Sequence, residues 1–230
     1  MLRVDIITIF PEMFDSYLSE SLIARALKKK LIKINVHNLR KWTKDRHKTV
    51  DDRPFGGGLG MVMKIEPIFK AVQSLKSKIK NQKSKIILFT PRGKKFNQKI
   101  AYNLSKLAQI ILICGRYEGV DERVAKNIAD IELSIGDYDL MGGELPAMIV
   151  VETAARLVPG VLGKPQLLKE RITKEKGFIE YAQYTRPPKF FPKKFWRAKP
   201  KVWNVPEVLL SGNHKKINEW RKKHGKNIGS

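Results

Sequence analysis

Ile110-Ile111-Leu112-Ile113-Cys114-Gly115-Arg116-Tyr117-Glu118-Gly119 sets a continuous apolar run directly against a loop bracketed by two glycines. An unbroken row of branched apolar residues is what a strand needs when both of its faces are covered, as in a parallel sheet between helices. Ile86-Ile87-Leu88-Phe89 repeats that run, residues 4–9 form a shorter one, and Ile32-Lys33-Ile34-Asn35-Val36 alternates with period two. Helical period fills the intervals. It runs over residues 11–30, through Phe14, Tyr17, Leu18, Leu22, Ala26 and Leu27, and again over 66–78 and 97–107. A further helix over 144–157 stops before Pro159-Gly160. Strands alternating with helices define an α/β domain with a largely parallel sheet flanked by helices.

Three glycine-bearing loops are read as following strands, where open α/β sheets place their ligands. Residues 51–60 include Gly56-Gly57-Gly58 and Gly60, but lack the Gly-Lys-Ser/Thr ending of a phosphate-cradling loop. Their alternatives are a backbone laid against a ligand and a plain connecting loop. Residues 114–123 hold Arg116, Tyr117, Glu118, Asp121, Glu122 and Arg123, more chemical groups than a solvated turn requires. A carboxylate there is suited to accept hydrogen bonds from the N1–H and amino group of a guanine edge, while arginines hold phosphate; the alternative is a salt-bridge network capping the sheet. In residues 134–146, Gly142-Gly143 permits close main-chain approach, and Ile135 and Leu140 offer an apolar slot for an adenine ring. A helix-entry turn is the plainer reading of that stretch.

The chain carries 46 Lys/Arg against 22 Asp/Glu, a net charge of +24, and the excess concentrates in the last third. A polyanionic partner fits such a balance. A hydrophobic fraction of 42% supports a buried core. No apolar run approaches a membrane span, and the strand-like opening Met1-Leu2-Arg3-Val4-Asp5 lacks a cleavage site, so secretion and membrane insertion are disfavoured. The single cysteine, Cys114, fits a reducing cytoplasm. From Gly160 the character changes. Residues 161–180 are charged, weakly periodic and expected to be mobile. The stretch 184–206 has no acid and interleaves Lys189, Lys193, Lys194, Arg197, Lys199 and Lys201 with Phe190, Phe191, Phe195, Trp196 and Trp203. The final segment to Lys223 reads as helical after Ser211-Gly212-Asn213.

Taken in order, several segments resemble the bacterial tRNA (guanine-N1)-methyltransferase family of knotted, SPOUT-type enzymes, which modify the guanosine just 3′ of the anticodon. They are Ile9-Phe10-Pro11-Glu12-Met13-Phe14, Asp45-Arg46-His47, residues 51–61, 114–123 and 134–146, Pro159-Gly160-Val161-Leu162-Gly163, Tyr184-Thr185-Arg186-Pro187, and Leu209-Leu210-Ser211-Gly212-Asn213-His214. The resemblance implies a trefoil-knotted parallel sheet over 1–160, an interdomain linker over 161–183, and a small, basic helical tRNA-binding domain over 184–230. It also implies a homodimer with active sites at the subunit interface, S-adenosylmethionine as methyl donor, and dependence on Mg²⁺.

By position, the resemblance assigns the donor site to Leu88, Phe89, Thr90 and Pro91; to Gly115, Tyr117 and Gly119; and to Ser134, Ile135, Gly136, Tyr138, Leu140, Gly142, Gly143 and Pro146. Glu118 matches the carboxylate that reads the guanine, and Arg156 the arginine that faces its O6. The family's base is an aspartate in the linker. Here the run is Lys169-Glu170-Arg171-Ile172-Thr173, with Arg171 in the aspartate's place and Glu170 as the nearest carboxylate. The proline- and lysine-rich stretch is longer than usual, and the chain ends soon after Trp220-Arg221, where relatives continue. Two other readings stay open: a tRNA-binding protein on the same scaffold with weak or no turnover, and a basic nucleic-acid chaperone, which leaves the three glycine loops unexplained.

Overall fold

The computed structural model describes residues 1–76, 83–164, 172–173, 177–192 and 202–228. The chain divides into two compact units, Met1–Glu170 and Arg171–Ser230. In the first, β1 (Leu2–Thr8), β2 (Ile32–Asn38), β5 (Ser84–Lys95), β6 (Gln109–Ile113) and β7 (Ile131–Ser134) form a five-stranded sheet in the order β2-β1-β6-β5-β7. Every neighbouring pair is parallel, with Leu2 opposite Ile32, Arg3 opposite Gln109, and Leu88 opposite Ile113. The sheet is parallel and α/β, as the apolar runs require.

Both faces are covered. On one, Val4, Ile6, Leu112 and Leu133 pack against α2 (Ser21–Lys28), α4 (Gln98–Leu104) and α6 (Glu144–Arg156). On the other, Ile7, Leu88, Ile111 and Ile113 meet α3 (Ile65–Lys76) through Ile68, Ala71, Val72 and Leu75, with Val124 of α5 (Glu122–Asn127) beside them. Two-sided burial explains why these strands read as unbroken apolar runs.

Several elements differ from the sequence reading. The single helix expected over 11–30 is a 3₁₀ turn (Pro11–Phe14), a short α1 (Asp15–Leu18) and then α2. The break follows from local chemistry. Ser19 Oγ donates to the Ser16 carbonyl at 2.8 Å, Glu20 is extended, and Ser21 takes φ +57. β5 runs past its apolar core through a bulge, so that Leu133 faces both Phe89 and Lys94. The 51–60 loop does not follow a sheet strand directly. It is the tip of a small hairpin of β3 (Asp51–Asp52) and β4 (Val62–Met63), reached after the 3₁₀ turn Leu39–Trp42.

A polar knot lies inside the second apolar face. The Asp5 carboxylate is fully buried and accepts from Arg3 at 2.6 and 2.9 Å, Asn35 at 2.9 Å and Gln109 at 2.7 Å, with His37 Nε2 at 2.9 Å. Burial pushes this carboxyl up, but hydrogen bonds from His37, Arg3, Gln109 and Asn35 outweigh it and hold it well below the usual carboxylate range. A carboxyl that titrates below its unfolded value of about 3.9 contributes fully above that pH, and the contribution is lost as pH falls through the native value. Asp5→Ala is therefore expected to cost about 3–5 kcal/mol at neutral pH, because it strands the opposing cation and amide donors. In chemical denaturation the gap between wild type and variant should shrink below about pH 4. A gap unchanged on acidification would show that Asp5 contributes no ionised interaction.

The second unit, among the described residues, is mixed rather than wholly helical. α7 (Glu207–Leu210) and α8 (His214–His224) accompany two antiparallel ribbons. One joins β8 (Phe178–Glu180) to β11 (Lys226–Ile228), and the other joins β9 (Lys189–Phe190) to β10 (Trp203–Asn204). Asn213 caps α8 by accepting from the Lys216 N–H at 3.1 Å. The basic run 193–201 lies outside the described residues. Of its flanking aromatics, Phe190 and Trp203 touch at 5.5 Å between ring centroids.

Candidate active site

Parallel strands all end at one edge, so the loops leaving β5, β6 and β7 emerge together. There they enclose a cavity of about 400 Å³. Leu88, Phe89, Thr90 and Pro91 form one wall at the bulged part of β5. Gly115, Tyr117, Glu118 and Gly119 form a second, and Ser134, Ile135, Gly136, Tyr138 and Leu140 a third. Gly142, Gly143 and Pro146, at the entry to α6, complete the lining. The fifteen positions assigned to the donor by resemblance thus share one cavity, with Glu118 among them. Arg92, Arg116, Glu122 and Asp139 also line it.

Backbone hydrogen bonds lock the three loops together. The Gly143 N–H donates to the Gly115 carbonyl at 2.9 Å, and Arg116 bridges Gly142. Glu118 N–H donates to Met61 at 3.1 Å, Met63 N–H to Gly119 at 2.9 Å, and Asp121 N–H to Met63 at 2.9 Å. The first glycine loop is therefore docked along the second, and the second along the third. Within the second loop, Gly119 N–H closes a turn on the Arg116 carbonyl at 3.1 Å, with Tyr117 in the left-handed region at φ +60. That conformation is uncommon for a bulky residue. It aims the Tyr117 phenol at Asp51 and Arg40. Burial, with the Asp51 charge and hydrogen bond, pushes the phenol up against the opposing pull of Arg40, so it stays protonated at neutral pH.

Two glycine contacts make the packing specific. A Cβ on Gly143 would lie 2.7 Å from the Cys114 Cα, against main chain that cannot yield. A Cβ on Gly60, where φ is +88, would lie 2.7 Å from both Cγ and Oε1 of Glu118. Gly60 thus sets where the Glu118 carboxylate stands. At Gly142 the clash would fall on Arg116 Nε and on Glu144 Oε2, the latter 2.7 Å away.

Arg116 and Glu144 form the anchor beneath the cavity. The Glu144 carboxylate, only 1% exposed in the first turn of α6, accepts from Arg116 Nε at 2.9 Å and from Thr8 Oγ1 at 2.7 Å. The Phe10 N–H donates to Thr8 Oγ1 at 2.9 Å, and the Arg116 guanidinium lies 4.8 Å from the centre of the Phe10 ring. Beside them, burial and the Glu144 charge push the Cys114 thiol up despite Arg116, which leaves it an inert buried group. Sequence reading missed Glu144 as an anchor. Its signal was an acid in the first turn directly after Gly142-Gly143.

Other assigned residues lie elsewhere. Arg156 is exposed in the last turn of α6; at a rise of about 1.5 Å per residue it is roughly 15 Å along the helix from Pro146. Glu170 and Arg171 lie outside the described residues. No group of three or more His, Cys, Asp or Glu side chains comes together among the described residues. No helix among them is long and apolar enough to cross a membrane.

A parallel α/β sheet with a pocket of glycine-rich main chain at its carboxyl edge is the arrangement in which open α/β proteins as a class place a small organic ligand. The particular family follows from comparison. The chain matches the family described as tRNA (Guanine-1)-methyltransferase TrmD over residues 2–228, and it belongs to that family. It is 55% identical over 223 residues to the tRNA (guanine-N(1)-)-methyltransferase of Dictyoglomus turgidum, covering 97% of this chain and 84% of that protein. It is similar to those of Citrifermentans bemidjiense, at 48% identity over 96% of this chain and 84% of the relative, and Carboxydothermus hydrogenoformans, at 49% over 96% and 82%.

The main-chain contact at Gly143 gives a direct test of the cavity. Gly143→Ala is expected to weaken S-adenosylhomocysteine binding at least tenfold, because the strand-end and helix-entry loops must separate to admit the methyl. Titration calorimetry alongside a thermal melt measures it. Wild-type affinity in a folded variant would remove the cavity as the donor site.

Proposed function

We propose that this chain transfers the methyl group of S-adenosylmethionine to N1 of guanine in tRNA, at guanosine 37 next to the anticodon. The observation that carries the proposal is the gathering of the family's donor positions, drawn from three separated loops, around one cavity with Glu118 at its side. When bound, the donor supplies an activated sulfonium methyl. The chain's own residues hold and align. Main chain around Gly115 and Gly142-Gly143 would hold the donor, and Ile135 and Leu140 would offer its adenine an apolar slot. Guanine N1 carries a proton at neutral pH, so a base must remove it as the methyl arrives. Glu118 accepts from the guanine edge, Glu170 takes the N1 proton, and Arg156 stabilises charge on O6. Alignment supplies much of the remaining acceleration.

The reading includes a homodimer, in which Arg156 reaches the cavity of the other copy. Two features support it: the distance of Arg156 along α6 from its own cavity, and an exposed apolar face on the same helix. On that face Leu145 is 52% and Ile149 41% exposed, beside a hollow of about 320 Å³ lined also by Tyr17, Tyr138 and Met148. A trefoil-knotted path is part of the same reading, supported by the close main-chain packing of the 142–143 turn on 114–116. So is a cytoplasmic setting, which suits a tRNA substrate and a lone buried thiol.

Single-turnover methyl transfer to a tRNA transcript with guanosine 37 tests the proposal, with an adenosine-37 transcript as control. Methylation at N1 of guanosine 37 alone is expected. Tight tRNA and donor binding without transfer would overturn it in favour of a binding protein on this scaffold.

A further inference from the structure

Past Phe89 the bulge of β5 carries residues 90–93 close along β7. Gly93 permits that approach, because a Cβ there would lie 2.7 Å from the Glu132 carbonyl carbon and from the Leu133 nitrogen. Bulges re-aim side chains. Here the bulge presents Arg92, which lines the donor cavity together with Glu122 of α5. Arg92 Nε donates to Glu132 Oε2 at 3.3 Å, and Arg92 Nη2 donates to Glu122 Oε2. The Arg92 and Glu122 side chains are 60% and 48% exposed, so their ion pair contributes little to stability.

Each partner keeps an unused group. Arg92 Nη1 makes no hydrogen bond among the described residues. Glu122 Oε1 accepts none among them either, and Lys126 Nζ stands 4.0 Å from it. A donor nitrogen beside an acceptor oxygen suits a vicinal diol, in which each hydroxyl both gives and accepts. A further carboxylate would compete with the two that already hold the guanidinium, and an ammonium would face that guanidinium. Dinucleotide-binding α/β folds likewise use an acidic side chain for a ribose hydroxyl. Position agrees with chemistry. β7 runs from Glu132 through Ser134 directly into Ile135, a wall of the adenine slot, and a nucleoside's ribose is bonded to its base.

We propose that Glu122, oriented by Arg92, accepts from the ribose 2′,3′-diol of the methyl donor, so that the cavity selects ribonucleosides. The inference rests on the donor reading above and adds to it the group that recognises the sugar. Arg92 is a positioning residue, acting through Glu122.

Titration calorimetry on the full chain compares three ligands: S-adenosylhomocysteine, its 2′,3′-dideoxy analogue, and 5′-methylthioadenosine, which keeps the diol but lacks the amino-acid portion. Wild type should bind the dideoxy analogue at least about tenfold more weakly than S-adenosylhomocysteine, as expected for loss of a hydrogen bond to a charged group. Glu122→Ala should weaken both diol-bearing ligands about tenfold and leave the dideoxy analogue within about twofold of wild type. Glu122→Gln, which keeps an acceptor without charge, and Arg92→Ala, which frees the carboxylate, should each retain part of the preference. Melting temperatures should stay within about 4 °C of wild type, since the pair is exposed. A folded Glu122→Ala chain with the full preference for the diol would overturn the assignment, as would a wild type with no preference. Weakened S-adenosylhomocysteine binding in Glu122→Ala with unaltered 5′-methylthioadenosine binding would also overturn it, by assigning the carboxylate to the donor's ammonium. A wild type that binds none of the three would remove the donor reading itself.

Discussion

Glu144→Ala is expected to lower the midpoint of thermal unfolding of the first unit by roughly 10 °C and to remove donor binding. The carboxylate is buried and holds three elements at once: Thr8 at the end of β1, Arg116 in the loop after β6, and the first turn of α6. Breaking a buried ion pair from one side costs about 3–5 kcal/mol, since the remaining charge stays desolvated. At about 2–4 °C per kcal/mol for a domain of this size, a shift near 10 °C follows. The α6 N-terminus also loses its anion. Arg116 keeps a contact to the Met141 carbonyl at 3.2 Å, a sulfur contact to Met13 and its place over the Phe10 ring, none of which neutralises its charge. With Arg116 released, the pairing of Arg116 with Gly142 loosens, and two walls of the cavity separate. Glu144→Gln, which retains an acceptor for Thr8 but no charge, should fall between. Calorimetry resolves the three proteins. A melting temperature within about 2 °C of wild type for the alanine variant would show that the pair is not an anchor.

Glu144 also marks the limit of what the sequence discloses. β1, β2 and β6 were legible because burial on both faces, or alternation at an edge, writes itself directly into residue order. β7 was not named, because its register depends on a long-range partner: Leu133 pairs on both sides of the β5 bulge. α5 was passed over inside a loop, although Asp121 accepts from the Arg123 N–H at 2.9 Å as a helix cap. In the 11–30 segment the apolar period continues through Ser19-Glu20-Ser21, while the backbone does not. Periodicity records which side is buried and carries no sign of a serine hydroxyl competing for a carbonyl. At the site, each loop's glycines could be seen, but their pairing could not. The Gly143–Cys114 and Gly60–Glu118 approaches join segments distant in the chain, and no local pattern specifies them. Resemblance supplied that grouping.

The identity of the base carries the second large expected effect. Glu170→Gln is expected to lower the single-turnover methyl-transfer rate at least about a hundredfold, the lower end of what a general base contributes. The reasoning is chemical. Guanine N1 must lose its proton during transfer, and by the resemblance Arg171, which cannot accept one, stands in the place of the family's linker aspartate. Glu170, its neighbour, is the nearest carboxylate in the chain, and glutamate's extra methylene lengthens its reach. A glutamine at this position keeps the shape and a hydrogen-bonding oxygen while abolishing proton acceptance. Donor and tRNA affinities should therefore stay within about twofold of wild type while the rate falls. Glu118→Gln provides the contrast. Glu118 stands at the cavity against Gly60, and its proposed task is to read the guanine N1–H and amino group. Its loss should erode discrimination between guanosine and inosine, which lacks that amino group, whereas loss of Glu170 should slow both substrates equally. A Glu170→Gln enzyme that methylates at the wild-type rate would eliminate Glu170 as the base. A collapse in the Glu118 variant that is equal for guanosine and inosine would then assign proton removal to Glu118.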